Sequence, residues 1–205
     1  MKNLLSLLAM VSTISALAVG AAAQPHAVGP QKPGFHDQPQ ANLVVNGNFS
    51  LDLSAWSPGE GLAQWSAESV LADGTGSARL TNNHPDASTE ATVLFQCVPV
   101  SAGPHLLTLA VRVPSGQTNT GGGRAVAYAY GNNFCGNAPV AGGFFTPINR
   151  ASSWSIRSIP VNVPAGAASV SVRLDAFKDQ AGGTLAVLVD SVELDEGGFF
   201  RDGFE

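Results

Sequence analysis

The sequence predicts an all-β protein, either a sandwich or a barrel of about nine short strands. From residue 42 onward, short runs of alternating apolar residues recur, and Gly, Pro, Asn or Asp bounds each run. The chain has 23 glycines, 13 prolines and only 12% charged residues, which fits strands joined by tight turns better than helices. No stretch with the helical period follows residue 23.

The alternation places strands along most of the chain, with turn signals such as Asp73-Gly74 and Gly182-Gly183 between them. The predicted strands are 42–46, 62–70, 77–82, 91–100, 104–113, 124–130, 154–163, 168–177 and 184–194. Together they form one domain, residues 42–195, which is long enough to bury a core. A short tail, residues 196–205, follows the domain, and its role does not follow from its residues.

The strand at 168–177 has two distinct faces. The core face is expected to hold Val170, Val172, Leu174 and Ala176. The face toward solvent or a groove is expected to hold Ser171, Arg173, Asp175 and Phe177. In the strand at 124–130, alternation alone does not decide which of two sets faces inward. One set is Ala125, Ala127 and Ala129, and the other is Arg124, Val126, Tyr128 and Tyr130.

The N-terminal segment has the three parts of a secretory signal. Lys2 supplies a positive charge, residues 4–19 are mostly apolar, and residues 21–23 are alanines. We predict cleavage after Ala23, so that residues 1–23 are a signal peptide and the protein is secreted, periplasmic or extracellular. An uncleaved membrane anchor is the alternative, but serines and a threonine dilute the apolar run.

Residues 24–41 hold four prolines and little apolar material, so we predict a flexible leader before the domain. Loss of Lys2, the one charged residue of the signal peptide, changes the formal charge from −5 to −6. No basic run occurs in the chain. Nucleic acid is therefore a poor partner on electrostatic grounds, and so is an anionic membrane after signal cleavage. The sequence leaves the oligomeric state open.

The chain has two cysteines, Cys97 and Cys135. An exported protein meets an oxidising compartment, in which an even pair of cysteines usually forms a disulfide. We predict this disulfide, which would add roughly 4 kcal/mol of stability in the chain-entropy view. A metal-binding or catalytic thiol is the alternative, but neither cysteine has a C-x-x-C partner or a flanking histidine.

The last predicted strand carries an acidic residue among apolar ones. Asp190 is expected on the same face as Leu188, Val192 and Leu194. A carboxylate among inward residues is costly unless it finds donors or a cation. Three interpretations remain: Asp190 caps backbone N–H groups, a bulge turns it outward, or it binds a structural calcium ion.

Two segments at opposite ends of the domain resemble a known family. The opening Asn42-Leu43-Val44-Val45-Asn46-Gly47-Asn48-Phe49, with Leu53 and Trp56 after it, is similar to the opening of family 4/9-type carbohydrate-binding modules. The ending Val187-Leu188-Val189-Asp190-Ser191-Val192-Glu193-Leu194 is similar to their closing strand. The segment Phe95-Gln96-Cys97-Val98-Pro99-Val100, with a later cysteine, resembles secreted bacterial variants that have a cysteine pair.

The resemblance, over about residues 42–195, implies a galactose-binding-like jelly-roll β-sandwich of eight to nine antiparallel strands. It also implies a secreted, non-catalytic protein that recognises a polysaccharide or glycan. In the family, a structural calcium often joins the opening loop to the closing strand, and the matching residues are Asn46, Ser50 and Asp190. Ser50 stands where the family has Glu, and Ser191 replaces a second Asp, so two carboxylates are missing. Apart from that calcium, no cofactor is implied.

No catalytic motif occurs in the sequence: there is no G-x-S-x-G, H-E-x-x-H or P-loop. We therefore expect no enzymatic activity. A structural or adhesive envelope protein that binds protein partners is the second hypothesis. A hydrolase whose site is dispersed along the chain is the third, since such residues need not be close in sequence.

A sugar-binding site needs aromatic rings for stacking and polar side chains for the hydroxyl groups. The candidate carbohydrate-binding residues are Tyr128, Tyr130, Arg173, Asp175 and Phe177. Weaker candidates are Trp65, Asn132, Asn133 and Phe134. Trp56 and Trp154 are expected to serve in packing, given their position at strand edges.

Overall fold

The computed structural model describes residues 41–71, 75–86 and 90–197. The predicted signal peptide, the leader up to residue 40 and the tail from residue 198 lie outside these residues. Within the described ranges, no helix is long and apolar enough to span a bilayer.

The described residues form ten strands in two five-stranded sheets, and every strand pair is antiparallel. The strands are β1 (Ser57–Pro58), β2 (Leu62–Ser66), β3 (Ser77–Asn82), β4 (Glu90–Pro99), β5 (Gly103–Arg112), β6 (Gly121–Tyr130), β7 (Ala141–Phe145), β8 (Ser155–Val163), β9 (Ser169–Lys178) and β10 (Leu185–Glu196). The order in one sheet, here called the groove sheet, is β1-β4-β9-β6-β7. The order in the other, the back sheet, is β2-β3-β10-β5-β8. This arrangement confirms the predicted jelly-roll β-sandwich.

Strand β3 has the predicted bounds, and the predictions for the other long strands differ from the structure by a few residues at their ends. The predicted strand at 42–46 is wrong, because Asn46 has a φ of 52° and lies within a turn at residues 45–48. The segment is instead fastened by the Asn42 side chain, whose Nδ2 donates to the carbonyl of Val192 and whose Oδ1 accepts from the N–H of Leu194. Strands β1 and β7 are short edge strands that the alternation did not predict.

The core lies between the two sheets and is built from alternate residues of their strands. In β9 the predicted core face is confirmed, since Val170, Val172, Leu174 and Ala176 are fully buried. In β6 the alanines Ala125, Ala127 and Ala129 face the core, which resolves the ambiguity of that strand. The tyrosines of β6 therefore lie on the outer side of the groove sheet.

A bulge in β10 changes which residues face the core. The pairing with β5 shifts register between Asp190 and Glu193, and Ser191 adopts a φ of 49°. Val187 and Val189 contribute to the core before the bulge, and Val192 and Leu194 contribute after it. The prediction that Asp190 shares a face with Val192 and Leu194 is therefore wrong, because one extra residue inverts the alternation.

A second bulge lies in β4, whose pairing with β9 shifts register between Thr92 and Leu94. As a result Val93 and Leu94 are both buried, and Phe95 emerges on the outer face with Thr92. This inversion places an aromatic ring on the surface of the groove sheet.

The predicted disulfide between Cys97 and Cys135 is confirmed. It joins β4 to the loop between β6 and β7, across the outer face of the groove sheet. The loop is thereby tethered to the outer face of the groove sheet.

Candidate functional site

A groove of about 560 Å³ lies on the outer face of the groove sheet. Its lining comes from β4, β6, β7 and β9, together with residues 59–60 and the loop that the disulfide tethers. Because β9 is the central strand of that sheet, its outward side chains form the middle of the floor.

The pairing of the strands aligns side chains of the floor in rows that run across the sheet. In one row Thr92 of β4 and Arg124 of β6 lie on either side of Asp175. In the next row Phe95 and Val126 lie on either side of Arg173, and Phe145 of β7 is paired with Val126. In a third row Cys97 and Tyr128 flank Ser171.

Three phenylalanines of the groove are exposed to solvent. Phe95 is 36% exposed, Phe145 is 41% exposed and Phe134 is 72% exposed. Their rings come from two opposite sides of the sheet and from the loop above it, so apolar surfaces surround a polar floor. Such rings can stack on the C–H faces of a sugar ring.

The loop that carries Phe134 is ordered by Asn132. Its side-chain Oδ1 accepts from the N–H groups of Phe134 and Gly136, and its Nδ2 donates to the carbonyl of Gly136. A side chain at Gly136 would meet the Phe134 ring at 2.4 Å. The adjacent disulfide fixes the loop to β4, so Phe134 is held at the edge of the groove.

The acidic end of the floor contains two carboxyl groups and one guanidinium. Nε of Arg124 donates to Oε1 of Glu90 at 2.6 Å and lies 3.8 Å from Oδ2 of Asp175. Thr92 donates its hydroxyl to Oδ1 of Asp175 at 2.8 Å. The Arg124 guanidinium also covers the Phe145 ring, 4.4 Å from its centre.

Asp175 is almost completely buried although it points to the outer face. Burial, followed by its hydrogen bond to Glu90 and the negative charge of Glu90, raises the pKa of Asp175 to about 8. Thr92 and Arg124 oppose the increase and do not cancel it. At neutral pH the Asp175 carboxyl is therefore mainly protonated.

Arg173 lies in the middle of the floor. Its guanidinium carbon is 4.6 Å from the centre of the Tyr128 ring, which places the cation over the ring face. Nη2 donates to the hydroxyl of Tyr130 at 2.9 Å, and Nε donates weakly to Ser171 Oγ at 3.4 Å. These contacts hold the side chain flat on the sheet surface.

Three of the five candidate sugar-binding residues lie together in the groove: Tyr128, Arg173 and Asp175. Tyr130 is buried and does not line the groove, but its hydroxyl accepts a hydrogen bond from Arg173. Phe177 also lies outside the groove lining, with the Arg150 guanidinium 5.6 Å from its ring centre.

Among the weaker candidates, Phe134 lines the groove, while Trp65 is on β2 of the back sheet. Trp56 is buried against Phe49, with ring centres 5.6 Å apart, so its predicted packing role is confirmed. Trp154 lies beside Arg112, whose guanidinium carbon is 5.5 Å from the ring centre.

Sequence reasoning missed several groove residues, among them Glu90, Thr92, Phe95 and Phe145, and also the adjacent Arg124, which pairs with Glu90. Phe95 was hidden because the β4 bulge inverts the alternation beyond it. Phe145 was hidden because β7 has two glycines and no clear pattern. Arg124 could have been predicted, because alternation puts it on the same side of β6 as Tyr128.

Asp190, one of the residues matched to the family calcium site, accepts hydrogen bonds from three protein groups. Asp190 Oδ2 accepts from the Ser69 hydroxyl at 3.0 Å and from the N–H of Val70 at 2.8 Å, and Oδ1 accepts from the N–H of Ser191. Asp190 thus caps backbone N–H groups, as one of its three interpretations proposed, and it stays buried rather than being turned outward.

The opening loop makes its own separate bonds. Asn46 Oδ1 accepts from the N–H of Ser50 at 3.3 Å, and its Nδ2 donates to the carbonyls of Asp52 and Ser54. Ser50 donates its hydroxyl to Asn48. Nowhere in the described residues do three or more acidic, histidine or cysteine side chains gather as for a metal. A calcium ion needs converging free oxygens, so this donor-rich arrangement does not fit one.

The two antiparallel five-stranded sheets form a β-sandwich, a fold that solved carbohydrate-binding modules share. The chain is similar to a structure described as "Family 16 Carbohydrate Binding Module-2", with a TM-score of 0.52 and 16% identity, over 76% of this chain and 100% of that one. It is also similar to the CBM22-1 xylan-binding domain from Paenibacillus barcinonensis Xyn10C, with a TM-score of 0.50 and 13% identity, over 76% and 94% of the two chains.

A third similar structure is the enzymatically active domain of tailspike protein 4 from bacteriophage CBA120. The TM-score is 0.55 and the identity 16%, and the match covers 75% of this chain but only 21% of that one. No protein-family model matches the sequence, and no curated protein sequence matches it. At these identities the similarities establish the fold, which is the one that the sequence resemblance implied.

Proposed function

We propose that this protein is a secreted, non-catalytic glycan-binding protein and that the groove on the outer face of the groove sheet holds the glycan. The observation that carries the proposal is the composition of this groove. Exposed phenylalanine rings border a floor of arginine, carboxyl and hydroxyl groups. Sugars present apolar C–H faces and hydroxyl groups together, and this combination of side chains complements both.

The position of the groove also supports binding of a chain rather than a single small molecule. Its lining extends from residues 59–60 across three sheet strands to β7, and it is open to solvent. Phe95 and Phe145 lie on opposite sides of Arg173, so successive sugar units could each meet a ring or a polar group.

The arrangement of the carboxyl groups favours binding over hydrolysis. A glycosidase uses one carboxyl group as general acid and a second, ionised carboxylate as nucleophile or base. In the groove, burial and Glu90 raise the pKa of Asp175, and Glu90 is paired with Arg124. The ionised carboxylate of the two is therefore engaged by a guanidinium, which makes it a weak nucleophile or base.

Export is supported by the disulfide. Cys97 and Cys135 are bonded, and such bonds persist in oxidising compartments outside the cytosol. The N-terminal signal pattern points to the same location.

A glycan array probed with the purified protein tests the proposal. We expect selective binding to one class of glycan, and we expect Phe95→Ala and Phe145→Ala each to weaken it. Ile156→Ala is the matched control, because Ile156 is an apolar residue of β8 on the back sheet and is 69% exposed. A blank array with folded protein would contradict the proposal and favour a structural or adhesive protein with a protein partner.

A further inference from the structure

We propose that the groove selects glycans with an acidic substituent, a carboxylate or a sulfate on the sugar ring, and that Arg173 is the selecting residue. This inference rests on the proposed glycan-binding function and deepens it. It depends on the pairing of the charged groups in the groove, which leaves one guanidinium without an anion.

Arg173 in the groove and Arg124 beside it differ in their partners. Arg124 is paired with Glu90 and is close to Asp175. Arg173 has no carboxylate within salt-bridge distance anywhere in residues 41–71, 75–86 and 90–197. Its partners are the hydroxyl groups of Tyr130 and Ser171 and the face of the Tyr128 ring. These leave at least three of its five N–H donors for a ligand or for water.

A ligand that covers Arg173 removes water from a cation. A neutral sugar would offer only hydroxyl groups in exchange, and burying a charge without a counter-charge is costly. A carboxylate or sulfate would supply the missing charge and can accept two parallel N–H bonds from one guanidinium. The groove therefore complements an acidic sugar better than a neutral one.

The rest of the floor does not cancel the charge of Arg173. Glu90 is neutralised by Arg124, and Asp175 is held in its neutral form by burial and by Glu90. Glu60 lies in an exposed position at the edge of the groove, where solvent and salt screen its charge. Among the described groups that line the floor, the guanidinium of Arg173 is thus the one that carries an uncompensated charge.

The rings beside Arg173 add a second element of recognition. Its row places Phe95 on one side, and on the other side Val126 is followed by Phe145. A sugar ring stacked on either phenylalanine would bring a ring substituent toward the guanidinium between them. Stacking and a charged contact could then act on the same sugar unit or on its neighbour.

The experiment compares glycans that differ only in their acidic group. Calorimetry would measure binding of oligogalacturonate and oligomannuronate against their methyl esters, and of sulfated oligosaccharides against their desulfated forms. We expect the acidic form of one pair to bind roughly tenfold or more tightly than its neutral form, the effect of one charge-assisted hydrogen bond. We also expect added salt to weaken that binding.

Variants assign the preference to Arg173. In Arg173→Gln the preference should disappear while the melting temperature falls by only a few degrees, because the contacts with Tyr128 and Tyr130 are lost. Arg173→Lys should keep part of the preference. Arg79→Gln is the control, because it removes the same charge from β3 of the back sheet. Equal binding of acidic and neutral forms, or a preference that survives in Arg173→Gln, would overturn the inference.

The outcomes separate this inference from the function on which it rests. Binding confined to neutral glycans would overturn acidic selection and leave glycan binding intact. A complete absence of binding to any glycan would overturn both. Preference within the carboxylate pairs or the sulfate pairs would identify which acidic group the groove accepts.

Discussion

The guanidinium of Arg173 lies over the ring of Tyr128, with its carbon 4.6 Å from the ring centre, across the central pair of strands β9 and β6. This contact joins a cation and an aromatic ring in the middle of the groove floor. It also explains how a long side chain is held flat where a ligand can reach it, since Tyr130 fixes its far end.

Loss of the Tyr128 ring should disturb the floor without unfolding the protein. We expect Tyr128→Ala to weaken glycan binding about fivefold or more and to lower stability by about 1 kcal/mol, because the cation–π contact disappears. Tyr128→Phe keeps the ring and should bind nearly as the native protein does. Calorimetric titration, with thermal melting as a check on folding, measures both effects. Equal weakening in the two variants would show that the hydroxyl, and not the ring, is the important group.

The buried carboxyl of Asp175 should make stability depend on pH. Its pKa is about 8 in the folded protein against an ordinary value of 3.8, so the folded state binds an extra proton between those values. The free energy of unfolding should therefore fall as the pH rises from about 4 to about 8. Asp175→Asn stays neutral and removes that fall, so it should melt at a higher temperature than the native protein at pH 8.

The same titration should affect ligand binding. Above pH 8 Asp175 becomes negatively charged beside the floor, so affinity for an acidic glycan should decrease, and Asp175→Asn should suppress the decrease. Binding measured from pH 6 to pH 9 checks this. A flat melting profile in the native protein would contradict the assignment of the titration to Asp175.

Removal of the disulfide should destabilise the domain and loosen the rim of the groove. We expect Cys97→Ser with Cys135→Ser to lower the free energy of unfolding by about 2 to 4 kcal/mol. Binding should also weaken, because Phe134 is next to the released Cys135. Denaturant unfolding of the double variant measures the first effect. Unchanged stability would mean that the loop contacts of Asn132 hold this region by themselves.

Calcium should not stabilise the protein. The carboxylate of Asp190 already accepts from Ser69, Val70 and Ser191, so its charge is met by N–H and O–H donors. Thermal melting with added calcium and after chelation should give the same temperature. Asp190→Asn should cost about 1 to 3 kcal/mol, because the amide cannot accept all of these bonds. A marked rise in melting temperature with calcium would refute the prediction and restore the site at Asn46, Ser50 and Asp190.

Export should remove the first 23 residues. We expect N-terminal sequencing of the protein recovered outside the cytosol to begin at Gln24, because three alanines precede it. Substitution of Ala21 and Ala23 by bulky residues should block the cleavage. Retention of Met1 in an exported, membrane-bound form would favour the uncleaved anchor.

The sequence by itself determined the fold class, most strand positions, the disulfide and the core face of β9. These follow from alternation, turn residues and the number of cysteines, all of which are local or additive properties of a chain. It also placed Arg173 and Asp175 among the candidates, because β9 has a clear second face, whereas alternation in β6 left open which side Tyr128 faces.

Only the tertiary structure decided how those candidates are combined. The bulges in β4 and β10 invert the alternation, and they depend on pairing with neighbouring strands rather than on residue type. The pairing of Glu90 with Arg124, which leaves Arg173 without a counter-charge, arises from the register of three strands that are far apart in sequence. The charge balance of a groove depends on the distances between its side chains. Residues that are far apart in sequence come close to one another only when the sheet forms.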